Sequence, residues 1–242
     1  METRANQSHN RLAQQLFAPI AGNYDRYAYL LSFGQDTRWR SFLVSRLEPQ
    51  PEQLVLDVAC GTAAVALEAV QRYGCRVIGV DQSADMLAHG QQRVKRAGCA
   101  ARVQLTGGRA EVLPFRNHTF DALTFTYLYR YVDDIPATLQ ELARVAKPGA
   151  RIAGLEFFVP PRQPFQALWQ LYVRVGLPLA GALISPGWSA VGRFLGPSIS
   201  GLWDRYSLDE LVGLWRAANI REVHYRLLSL GGGVVMWGTR GE

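Results

Sequence analysis

A chain of 242 residues with 48% hydrophobic content is long enough for one α/β domain with a sizeable core. A net charge of +6 admits nucleic acid or an anionic membrane surface as partner. Three cysteines (Cys60, Cys75, Cys99) and four scattered histidines (His9, His89, His118, His224) lack metal-ligand spacing, so no metal is expected. The odd thiol count predicts reduced cysteines and a cytoplasmic protein. The polar start METRANQSHNRLAQQ lacks the apolar region of a signal peptide.

In chain order, residues 7 to 48 read as helical pieces. Leu12, Leu16 and Ile20 share one face, and Trp39, Phe42, Leu43 and Leu47 another, predicting an N-terminal cap over a sheet. Leu54 to Val58 is a short, nearly continuous apolar run, as expected of a strand buried on both faces. Asp57 interrupts it near its end. Ala59, Cys60, Gly61, Thr62 and Ala63 form a turn of small residues that lets a ligand approach the backbone; Cys60 reads as a small turn residue rather than a nucleophile. A helix over 62–73 and a second buried strand, Val77 to Val80, follow, with Asp81 at the tip. Ser83 caps a helix ended by Gly98. Strands are predicted over 102–105 and 120–125. Asp134 caps a helix to Ala146, stopped by Lys147-Pro148-Gly149, and a fifth strand runs over 151–157.

Between Glu156 and Asp204 there is no acidic residue, while Arg162, Arg174 and Arg193 are present. Phe165, Leu168, Trp169, Tyr172, Leu177, Leu179, Leu183, Ile184, Trp188, Phe194 and Leu195 exceed what one covering helix needs. Pro178, Pro186 and Pro197 are expected to break the segment, which argues against a transmembrane helix. A capping box, Ser207 to Glu210, starts the last helix, and strands over 221–228 and 234–239 flank Gly231-Gly232-Gly233. The fold class is α/β: a Rossmann-like, seven-stranded, doubly wound sheet with an N-terminal helical cap and a helical insertion after the fifth strand. The expected organisation is a single domain: cap 1–48, cofactor-binding core 49–159, apolar lid 160–206, and C-terminal helix and hairpin 207–242.

Asp81 lies 20 residues after Gly61, a spacing at which an acid can accept the ribose hydroxyls of an adenosine ligand. The G-x-G-x-x-G of a dinucleotide site is absent, so nothing marks a pyrophosphate cradle. S-adenosylmethionine has no phosphate, and its sulfonium suits an acid at Asp57.

LDVACGTA resembles motif I of class I S-adenosylmethionine-dependent methyltransferases, and GVDQS their ribose-binding strand end. Ala63 stands where the family's second glycine is usual, so the turn has to accommodate a methyl group. RAEVLPFRNHTFDALTFTYL, over 109–128, resembles the family's A-E-x-L-P-F…F-D motif. The resemblance implies donor contacts at Asp57, Gly61, Thr62, Asp81, Arg109, Ala110 and Thr126. LFAPIAGNYDRYAYLLSFGQDTRWR, Leu155-Glu156-Phe157 and the closing GGGVVMWGTRG are similar to the ubiquinone/menaquinone biosynthesis C-methyltransferases over most of the chain. That resemblance implies methylation of a demethylated prenyl quinol; the apolar segment from Pro160 to Trp203 then reads as a lid over its tail that touches a membrane surface, and a homodimer is left open.

Quinol chemistry needs a cation or base beside a ring hydroxyl. Arg130 is the first candidate and Tyr24 the second; Tyr131 and His224 are weaker. Arg130-Tyr131 stands where the family has Arg-Asn. Two alternatives stay open: a phospholipid or other small-molecule methyltransferase, and a non-catalytic membrane-bound partner of a quinone pathway, which Ala63, Arg109 and Tyr131 favour. Thr126-Tyr127-Leu128-Tyr129 lacks the Pro-Pro-aromatic clamp of nucleic-acid amino methylases, and no Cys follows a Pro, so nucleic acid is not an expected partner.

Overall fold

A computed structural model describes residues 15–242; Leu12 and His9 lie outside the described residues. A 3-10 turn, Ala18–Asn23, leads into α1 (Tyr24–Leu31) and α2 (Gln35–Val44). The core then alternates: β1 (Leu54–Val58), α3 (Ala64–Tyr73), β2 (Arg76–Asp81), α4 (Ala84–Arg96), β3 (Val103–Gly107), β4 (Phe120–Thr126), α5 (Ile135–Val145) and β5 (Ala146–Phe157). The insertion comprises α6 (Phe165–Leu171), a π turn (Tyr172–Gly176), α7 (Leu177–Ile184) and α8 (Pro186–Arg205). The chain closes with α9 (Leu208–Ala217), β6 (Ile220–Leu228) and β7 (Gly233–Arg240).

The seven strands run in the order β3-β2-β1-β4-β5-β7-β6. The first five are parallel, and β7 is antiparallel to both its neighbours. Strand order reverses at β1, so the crevice between the carboxyl ends of β1 and β4 is where a doubly wound sheet takes its ligand. Side chains alternate along β1: Leu56 and Val58 join Phe120, Leu123, Leu139 and Trp215 on one face, while Val55 packs with Leu43, Val65, Val70 and Val77 on the other. Burying each large apolar side chain of these two layers contributes about 1.5–3 kcal/mol.

The expected caps are present. Ser83 Oγ accepts from the Met86 N–H at 3.3 Å, Asp134 Oδ1 from the Ala137 N–H at 2.8 Å, and Ser207 and Glu210 close a reciprocal capping box. Gly98 takes a left-handed φ of 67° after α4. Lys147 to Gly149 do not separate α5 from β5 as expected. Ala146 already pairs with Phe120, the next partners are Ala122 and Arg151, and residues between loop out of the ladder with Gly149 at φ 79°.

Two expectations about the helices need correction. Among the described residues, the cap's apolar packing on the sheet's core layer comes from α2, through Trp39, Leu43 and Val44. Leu16 and Ile20 pack instead on Trp188 and Val191 of α8, so the first part of the cap belongs to the insertion's own small core. The Trp39 indole N–H donates to Ser229 Oγ at 2.8 Å and so fastens α2 to the closing turn.

Pro178 and Pro197 do not break the insertion. Pro178 follows the π turn, in which the Leu177 N–H reaches back five residues to the Tyr172 carbonyl. The widened turn makes room for a ring that would clash with the carbonyl four residues earlier. Pro197 sits inside α8, and only Pro186 marks a break, at its start. Residues Phe165–Ile184 therefore form one helical run whose length and composition meet the criteria for a membrane span, with a mean hydropathy of 1.4. It folds against α8 in a close hairpin: a Cβ at Gly181 would stand 2.3 Å from the Trp188 carbonyl oxygen, and one at Gly192 2.7 Å from that of Leu177.

Candidate active site

The turn after β1 holds three left-handed residues: Ala59, Gly61 and Ala63, with φ of 55°, 52° and 62°. Such conformations at alanine cost of order 1–3 kcal/mol each and cluster at functional sites. Asp81 holds the turn in place. Its Oδ2 accepts from the Gly61 N–H and its Oδ1 from the Ser83 N–H, both at 2.8 Å. The Gln82 backbone N–H adds to these two, and a carboxylate with about four lone-pair sites keeps capacity for a ribose hydroxyl. Ala63 is fully buried in the core layer that also holds Val65, Leu67 and Val77, and it does not line the cavity described next.

A cavity of about 110 Å³ opens over the turn. Gly61, Thr62, Asp81, Arg109, Ala110 and Thr126 all line it, brought together from the ends of β1, β2, β3 and β4. Arg109 is half-exposed and pairs with Glu111 at 3.2 Å. Asp57 is not part of the wall. It is fully buried, and neither carboxylate oxygen has a hydrogen-bond partner. Burial pushes its pKa up to about 7, against the pull of Arg40 and of the Ala66 backbone N–H. An orphaned acid beneath a turn of small residues suits a cationic ligand, and the donor set fits S-adenosylmethionine.

The sequence reading missed a buried polar cluster from α2. Arg40 donates through Nε to Asp36 at 3.0 Å, and the Tyr127 hydroxyl donates to Asp36 Oδ1 at 2.5 Å. Both charged side chains are nearly inaccessible, and Arg40 lines the cavity. Asp36 and Arg40 are four residues apart on a helix, which reads as a solvated surface pair. The only available signal was their position inside the quoted cap signature.

A second, larger cavity of about 360 Å³ lies between cap, insertion and sheet. Its walls are apolar, from Trp39, Phe157, Trp169, Val173, Leu177 and Val191 among others. Phe17, Tyr24, Tyr127 and Tyr131 border both cavities, so the two meet across four aromatic side chains. Arg130 lies on the wall of the larger one. Its Nε donates to Glu156 Oε1 at 3.0 Å and its Nη1 to the Tyr131 hydroxyl at 3.3 Å, with the guanidinium over the rings of Tyr131 and Phe157. Glu156 keeps Arg130 charged despite burial; its Oε2 has no partner. Tyr24 is half-buried, and desolvation holds its hydroxyl protonated well above the ordinary range. His224 is exposed on β6 beside Trp237 and lines neither cavity. Among the described residues, no group of histidine, cysteine and acidic side chains could hold a metal.

A seven-stranded sheet of this order with a cavity at its switch point has the architecture of the S-adenosylmethionine-dependent methyltransferases, the class to which the family match assigns the chain. A family model described as the ubiE/COQ5 methyltransferase family matches residues 3–240, and the chain belongs to that family. It is 34% identical over 228 residues to the ubiquinone/menaquinone biosynthesis C-methyltransferase of Desulfotalea psychrophila, covering 94% of this chain and 89% of the relative. It is 35% identical over 227 residues to the demethylmenaquinone methyltransferase of Thermus thermophilus, covering 93% of this chain and 100% of that one. Among solved structures, geranyl diphosphate methyltransferase in complex with GPP and sinefungin shares the fold, with a TM-score of 0.60 and 19% identity over 84% of this chain and 78% of that chain.

Proposed function

We propose that this enzyme methylates a ring carbon of a demethylated prenyl quinol. The observation that carries the reading is the apolar chamber of about 360 Å³ joined to the donor cavity across Phe17, Tyr24, Tyr127 and Tyr131. It is large and apolar enough for a ring and the first part of a hydrocarbon tail. The relatives' names supply the quinone chemistry.

S-adenosylmethionine supplies an electrophilic methyl group on a sulfonium. We assign its contacts to Gly61, Thr62, Asp81, Arg109, Ala110 and Thr126, with Asp57 contributing negative potential from below. Aligning donor and acceptor for in-line displacement can be worth roughly 7–11 kcal/mol. A phenol-like hydroxyl of pKa ~10 is ionised to about one part in a thousand at neutral pH, so a cation beside the oxygen can recover up to about 4 kcal/mol. Arg130 is our candidate for that cation. Its Nε and Nη1 are engaged, while Nη2 has no partner among the described residues and remains for the quinolate or a water. Tyr24, held protonated, serves as a hydrogen-bond donor and aromatic wall rather than a base.

The same reading includes a membrane surface. Phe33, Phe165, Leu168 and Leu230 line the chamber and are also exposed, so its mouth opens among them. Leu171, Val175, Leu179 and Leu183 continue an exposed apolar stripe along the insertion. Only 17% of the most apolar window of that helix is buried. A tailed acceptor could pass from lipid into the chamber there.

The direct test supplies methyl-labelled S-adenosylmethionine with reduced demethylmenaquinol, demethoxylated ubiquinol precursors and phosphatidylethanolamine in parallel. Label on a quinol ring carbon, absent in Asp81→Ala, is the expected result. Label on the phospholipid alone would move the assignment to lipid headgroup methylation, and no label with any acceptor would favour a non-catalytic role.

A further inference from the structure

We propose that Arg40, on the cap helix, is the clamp for the α-carboxylate of the donor's methionine end, with Asp36 and Tyr127 as its positioning residues. The inference rests on the smaller cavity being the donor site.

The donor carries two unlike ends. Asp81, Arg109 and Ala110 line the cavity from the ends of β2 and β3, and we assign the adenosine to them. Tyr24, Arg40, Thr62 and Tyr127 line it from the cap, the turn and the end of β4, and we assign the methionine end to them. A zwitterionic amino-acid tail placed there brings a carboxylate that has to be neutralised out of water. Arg40 and Arg109 are the only cations among the lining residues. Arg109 lies at the adenosine end, half-exposed and paired with Glu111. Arg40 is only 8% exposed.

The geometry of Arg40 suits bidentate capture. Asp36 takes its Nε, and Tyr127, itself left-handed at φ 56°, locks Asp36 in turn. Nη1 and Nη2 make no hydrogen bond with any described residue. A guanidinium fixed by one edge and bare on the other is preorganised for a carboxylate. Arg40 also attracts the buried Asp57 electrostatically. The carboxylate would satisfy Arg40, and the ammonium at the same end would bring positive charge toward Asp57. The cap thereby completes the donor site. Asp25 on α1 already reaches that turn, accepting from Thr62 Oγ1 at 2.8 Å and pairing with Arg93.

The test compares calorimetric binding of S-adenosylhomocysteine with that of its decarboxylated analogue, which lacks the carboxylate alone. The proteins are the unaltered enzyme, Arg40→Gln and Arg40→Lys; the lysine keeps a charge for Asp36 if the glutamine variant folds poorly. The unaltered enzyme should prefer S-adenosylhomocysteine by roughly tenfold to a hundredfold, as for a charge-assisted hydrogen-bond pair. Both variants should lose most of that preference while binding the analogue as before. An unchanged preference in a folded variant would overturn the clamp and leave the donor site standing. Failure of the unaltered enzyme to bind either ligand would overturn the donor cavity and the clamp together.

Discussion

The sharpest consequence at the residue scale concerns Asp57. Its pKa in the folded protein is raised from 3.8 to about 7 by burial. Between those values the folded protein holds a proton that the unfolded chain has lost. Stability without the donor should therefore fall as pH rises through that window, by up to about 4 kcal/mol from this group. Asp81 and Glu156, also held above their ordinary values by burial, act with the same sign. Asp57→Asn should flatten the curve, measured by urea unfolding at several pH values; a slope identical to that of the unaltered protein would show that Asp57 ionises freely. Arg130 and Glu156 make a different prediction. Arg130→Met leaves a carboxylate buried and unpaired, a loss of about 3–5 kcal/mol. Adding Glu156→Gln should restore most of the stability but none of the methyl transfer. Recovery of both would reduce Arg130 to a structural role.

At the element scale, the insertion divides its labour between its two faces. Trp188, Val191 and Leu177 face inward and are buried, whereas Leu179 and Leu183 are 62% and 90% exposed. Leu179→Glu/Leu183→Glu should abolish co-sedimentation with anionic vesicles while shifting stability by no more than about 0.5 kcal/mol per site. Retained vesicle binding would place the lipid contact elsewhere. Asp25 holds α1 of the cap to Thr62 and Arg93 through partly exposed contacts. Asp25→Asn should speed release of S-adenosylhomocysteine in stopped-flow measurements; an unchanged rate would show that the cap does not open for exchange.

For the whole molecule, the core strands, the caps at Ser83, Asp134 and Ser207, and the small-residue turn after β1 were legible because each follows from local chemistry. A buried run ends in an acid, or a hydroxyl precedes a helix. What was not legible depends on contacts between distant segments. The sequence does not say that Leu16 and Ile20 pack on Trp188 rather than on the sheet. Nor does it say that Tyr127 reaches Asp36, 91 residues away in the chain, which turns an apparent surface pair into a buried site. The prolines mislead for a related reason, because a π turn absorbs Pro178 at no cost visible in the local pattern. Arg130 and Tyr24, chosen from chemistry, line the chamber next to the donor cavity, but the Glu156 partner that sets the charge of Arg130 was visible only as part of a quoted motif.

The central claim is that the two cavities work as donor and quinol sites of one methyltransferase. It is tested most directly by single-turnover transfer from methyl-labelled S-adenosylmethionine to reduced demethylmenaquinol, with the ring position of the label read by mass spectrometry. Label on the ring carbon beside a hydroxyl, lost in Asp81→Ala and in the Arg130→Met/Glu156→Gln pair, is the expected result. Label on oxygen or on a phospholipid, or transfer that survives loss of Arg130, would contradict it.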